Sequence, residues 1–83
     1  MTVEQFLTYL QHEKRYSLHT IQSYRTDLLQ FSDFMQITFN ADLADTQHIH
    51  VRDFMVWLME QGNSENSVGR KISTLRSFFK YLI

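Results

Sequence analysis

Along this chain apolar residues recur every three or four positions. That spacing gathers side chains on one side of a helix, whereas a half-buried strand alternates at every second position. Four stretches carry the pattern. Val3, Phe6, Leu7 and Leu10 form the first, with Tyr9 nearby. Ile21, Tyr24, Leu28, Phe31 and Met35 form the second, flanked by Leu18. Ile49, Val51, Phe54, Met55, Leu58 and Met59 give the third a broad apolar face, with Trp57 at its margin and expected to be at least half buried. In the fourth, Val68, Ile72, Leu75, Phe79 and Leu82 follow one another at steps of 4, 3, 4 and 3. The pattern predicts helices over about 3–13, 18–35, 47–61 and 65–82.

The boundaries agree with it. Thr2 followed by Gln5 reads as a capping box, and Ser17 and Ser64 are N-caps whose hydroxyls accept from orphan first-turn amides. Asp45 or Thr46 starts the third helix, and Gly62 is a C′ residue able to take positive φ. Residues 36–46 break the periodicity. They are expected to cross over as a long connection, with Ile37, Phe39 and Leu43 tucked against the core.

With no proline and only two glycines among 83 residues, the chain lacks the turn punctuation that a strand-rich fold needs. The expected fold is all-α, a single four-helix bundle-like domain. Cysteine is absent, so there is no disulfide framework and no thiolate metal site. No apolar run is long enough to span a membrane and no secretory leader is recognisable, which leads to the expectation of a soluble, cytoplasmic protein.

Net charge is −1, but it is segregated. Residues 37–62 hold four acids and one base, while residues 63–83 hold one acid and four bases. Opposite the apolar stripe of the last helix lie Asn66, Arg70, Ser73, Thr74, Ser77, Lys80 and Tyr81, a face with hydroxyls and cations but no carboxylate. The second helix carries His19, Gln22, Ser23, Thr26 and Gln30 on its polar side, uncharged donors and acceptors rather than the usual solubilising mixture. Cations reach phosphates, and such uncharged groups suit base edges and sugar–phosphate oxygens. Lys14 and Arg15, between the first two helices, are either phosphate contacts or solvated loop cations.

Enzyme signatures are missing. His48 and His50 diverge on a helix and no closed metal-ligand set accompanies them. Gly62 and Gly69 stand alone, so no phosphate-cradling loop exists, and no nucleophile elbow surrounds any serine. No cofactor is implied.

Three segments taken together resemble the N-terminal core-binding, SAM-like domain of tyrosine recombinases, the family of phage integrases and Xer-type enzymes. They are the run from Ser17 to Leu28, Val51-Arg52-Asp53-Phe54, and the run from Arg70 to Leu82. The similarity spans almost the whole chain. It implies half of a clamp around double-stranded DNA, with the second and fourth helices at the major groove. Carried over position by position, it places His19, Thr20 and Ser23 at the DNA, and with them Ser67, Arg70, Lys71, Ser73, Thr74 and Ser77. Charge reversal at Arg70 and Lys71 is then expected to weaken DNA binding without unfolding the domain.

In that family strand cleavage by a tyrosine belongs to a separate C-terminal domain, so this chain is expected to bind without cutting. Tyr9, Tyr16, Tyr24 and Tyr81 are not read as the nucleophile, and Tyr24 is read as core. Other recombinase protomers are implied as partners on DNA, while the 83-residue chain itself is expected to be a monomer. A helical protein-interaction domain that never touches DNA remains the alternative.

Overall fold

The computed structural model describes residues 3–82, and in them four helices enclose one core. They are α1 (Val3–His12), α2 (Leu18–Phe39), α3 (His48–Glu60) and α4 (Glu65–Leu82), with a short 3-10 turn at Leu43–Asp45. The Thr2 cap lies outside the described residues. Ser17 caps α2 by accepting from the Thr20 amide at 3.2 Å, and Ser64 caps α4 by accepting from the Ser67 amide at 3.2 Å. Gly62 takes φ +90° between α3 and α4, where a side chain would be strained.

Phe6, Phe31, Phe54 and Leu75 are essentially inaccessible and draw one residue from each helix into the core. The rings of Phe31 and Phe54 meet edge-on at 5.0 Å, and Phe6 meets Phe78 edge-on at 5.3 Å, the T-shaped geometry that aromatic quadrupoles favour. An Arg25–Glu4 ion pair ties α2 to α1 on the outside.

Two expectations fail in instructive ways. The second helix runs four residues beyond Met35, to Phe39, and stops on Asn40 in the left-handed conformation at φ 51°. The amides of Asn40 and Ala41 close on the carbonyls of Gln36 and Met35. This last turn projects past the core, so Ile37 is 84% exposed, against the expectation that it tucks inward, whereas Phe39 lays its ring edge-on 5.8 Å from that of buried Phe34 and Leu43 packs against the core. The apolar stripe ends where the core ends, but the backbone bonding does not.

The second failure concerns α4. It packs against α1, α2 and α3 at once, so a single stripe cannot describe it. Alongside Val68, Ile72 and Leu75, a second line of Lys71, Thr74 and Phe78 is buried. Tyr81, assigned to the outward face, is partly buried with its ring 4.8 Å from Tyr9 and 5.2 Å from Phe6. Ile49 and Met59 of α3, expected on the apolar side, are exposed. Trp57 is more than half buried, as expected.

Candidate nucleic-acid interface

Asp27 organises the seam between α2 and α4. Only 1% of it is exposed, and three donors from α4 converge on its carboxylate. The Arg70 guanidinium and the Lys71 ammonium each donate to Oδ1 at 3.0 Å, and the Thr74 hydroxyl lies 3.1 Å from Oδ2. A buried carboxylate without partners would be prohibitively costly, and here both oxygens find partners on the facing helix. One turn away Tyr24 and Ser77 line the same depression. Asp27 thus meets residues 70–74 while the earlier Tyr24 meets the later Ser77, so the two helices run antiparallel.

Over this seam His19, Gln22, Ser23, Thr26, Asp27 and Arg70 line a shallow pocket of about 190 Å³. The Arg70 side chain remains 57% exposed above its ionic anchor. Farther along, towards the α1–α2 turn, lies a second depression of about 450 Å³. Its lining includes Lys14, Tyr16, Tyr24, Ser77, Lys80 and Tyr81. Burial pushes the Tyr24 phenol above its ordinary value, with Tyr16 beside it adding to the shift and the nearby Ser77 hydroxyl opposing it. The turn itself is held by Arg15 at φ 55° and by the Tyr16 amide donating to the Leu10 carbonyl at 3.1 Å.

The nine residues expected at an interface divide into groups. His19, Ser23 and Arg70 come together at the smaller pocket, and Ser77 is half-buried at the larger. Thr20 is half-buried in the first turn of α2, where its hydroxyl oxygen accepts from Ser17 at 3.0 Å. Ser67 is half-buried near the start of α4, 3.5 Å from the Asn63 side chain. Ser73 is exposed but lines the groove on the α3 side of α4 with Met55, Met59 and Arg76.

Lys71 and Thr74 are a correction. They point inward to Asp27 rather than out, because α4 is enclosed on that side by α2. Charge reversal at Lys71 would set two carboxylates together in the core, so the expectation that the domain stays folded is withdrawn for that position.

Sequence reasoning missed Asp27 altogether. The available signal was an acid set immediately beside the Tyr24, Leu28 and Phe31 stripe in a helix whose polar side is otherwise nearly uncharged.

His50 also has a structural place. Its Nδ1 accepts from the Gln47 amide at 3.0 Å and its ring lies 4.7 Å from that of Phe39. Among the described residues no group of three or more His, Asp or Glu side chains could hold a metal ion, and no helix is long and apolar enough to cross a membrane.

A family model described as phage integrase, N-terminal SAM-like domain, matches residues 3–83. Tyrosine recombinase XerC of Halalkalibacterium halodurans is 42% identical over 81 residues, covering 98% of this chain and 27% of that protein. The XerC of Oceanobacillus iheyensis is 44% identical over 80 residues, covering 96% of this chain and 26% of that protein. That of Roseiflexus sp. is 36% identical, also over 80 residues. The chain spans about a quarter of the length of these relatives. No solved structure was found to match it.

Proposed function

The chain belongs to the phage integrase N-terminal SAM-like domain family, and from that membership we propose that it grips duplex DNA for a tyrosine recombinase. The observation that carries the reading is the antiparallel α2–α4 seam. It gathers His19, Gln22, Ser23, Thr26 and Arg70 on one wall, and the lysines 14 and 80 stand at the end towards the α1–α2 turn. The lysines neutralise phosphates and set register, while the uncharged side chains face the groove. Strand cleavage and its tyrosine are assigned to the part of the full-length recombinase outside the matched quarter, so this chain binds without cutting. Other protomers on the same DNA, and a cytoplasmic setting, belong to the same proposal.

A protein-interaction role is favoured by a different observation. Ile49, Val56 and Met59 leave an exposed apolar scatter on α3. Contact with other recombinase protomers would use such residues without competing for the α2–α4 wall.

Fluorescence anisotropy of a labelled, unrelated duplex, titrated with the 83-residue chain across a salt series, tests the DNA reading. Binding on the order of 10⁻⁴–10⁻⁶ M at physiological salt, weakening linearly in log–log form as salt rises, is the expected result. No change in anisotropy at low salt would overturn it and leave the protein-interaction reading.

A further inference from the structure

We infer that Arg70 is a guanine-reading side chain whose orientation is set by Asp27, a specificity element rather than a phosphate clamp. The inference rests on the DNA-binding reading and deepens it. A phosphate contact needs charge delivered to an oxygen cluster, and a mobile cation serves well. Base reading needs donors held in a fixed plane.

Arg70 has the second kind of support. One of its nitrogens donates to Asp27 Oδ1 at 3.0 Å, and Asp27 is itself immobilised by buried Lys71 and by Thr74. Of the five N–H donors of a guanidinium, the anchor consumes one and leaves the outer edge free. That edge is open, with the side chain 57% exposed.

The surroundings point the same way. Besides Asp27 and Arg70 the pocket wall is made of His19, Gln22, Ser23 and Thr26, with no second cation. The Asp27 carboxylate is already paired with Arg70 and Lys71, so the pocket presents one exposed cation rather than the cluster a phosphate site gathers. Arg presents donors only, so it requires two adjacent acceptors. In the major groove guanine alone offers that pair, O6 and N7; adenine and cytosine show a donor there, and thymine a methyl group.

Selection by the 83-residue chain from a pool of randomised duplexes at low salt provides the test. The enriched sites should contain a guanine whose replacement by another base, or by 7-deazaguanine, weakens binding about tenfold. Arg70→Lys keeps the charge and loses the planar fork. It should make that position indifferent, so that the guanine duplex and its 7-deazaguanine counterpart bind alike. Asp27→Asn, if circular dichroism shows it folded, should blur the same position, and if it does not fold Arg70→Lys decides alone.

A preference that survives in Arg70→Lys, or enrichment without any such guanine, overturns the inference and leaves the DNA-binding reading standing. Failure to bind any duplex at low salt removes both.

Discussion

The two flanks of α4 are closed by opposite chemistry. Towards α2 the seam is polar inside, with Asp27 holding Arg70, Lys71 and Thr74, and its rim is made of imidazole, amide and hydroxyl groups. Towards α3 the seam is apolar inside, with Val68, Ile72 and Leu75 buried, and its rim carries Met55, Met59 and Arg76. An apolar seal needs only shape and volume. A buried ionic seal fixes direction as well, because its donors must meet the carboxylate oxygens at hydrogen-bonding distance and angle. Specificity devices are retained where orientation matters, and the polar flank is the one facing the proposed DNA. The four cations of the last 21 residues are therefore not equivalent. Lys71 is spent inside and Arg70 is tethered, while Arg76 and Lys80 form no ion pair among the described residues.

The sharpest way to break the contrast is to remove the carboxylate. Asp27→Ala should destabilise the domain by about 3–5 kcal/mol in urea titrations, because Lys71 is left buried and unpaired. Ile72→Ala on the apolar flank should cost about 2–5 kcal/mol. The two flanks separate in the double replacement Asp27→Leu with Lys71→Met. If the ionic set is kept for orientation, stability should return to within about 1 kcal/mol of the parent while duplex selectivity does not.

Smaller still are the rim effects. Lys14→Gln and Lys80→Gln should each reduce the slope of log affinity against log salt by about 0.9, whereas Arg76→Gln, on the α3 side, should leave it unchanged. The smallest effect concerns Tyr24, whose phenol is raised by burial. Its protonated form is favoured by folding, so its contribution is fully present below its ordinary value of 10.0 and is lost as pH rises through the raised one. Thermal melts of Tyr24→Phe should decline less steeply above that pH than those of the parent.

How much of this was legible beforehand differs between the same two flanks. The α3 flank follows from apolar spacing, since Val68, Ile72 and Leu75 lie on the stripe and are buried. The α2 flank does not, because periodicity assumes that polar residues face water. Asp27, Lys71 and Thr74 are polar residues that satisfy one another across two helices 43 or more positions apart in sequence. No local pattern encodes such a pairing.

The long α2 was underestimated for a related reason. Ile37 is apolar but sits beyond the core and Phe39 covers only its edge at Phe34, so hydrogen bonding and the Asn40 cap set the end of the helix. Serine caps and the Gly62 turn were legible because their physics is local. Within the candidate site, His19, Ser23 and Arg70 could be placed together because each lies on an outward helical face.

The claim on which the rest depends is that the α2–α4 wall is the DNA face. Amide chemical-shift mapping of the 83-residue chain against a short duplex tests it most directly. The account predicts perturbations concentrated at His19, Gln22, Ser23, Thr26, Arg70 and Ser77, with α3 residues such as Val56 and Met59 unmoved. Shifts confined to α3 and its groove with α4, leaving α2 silent, would contradict it.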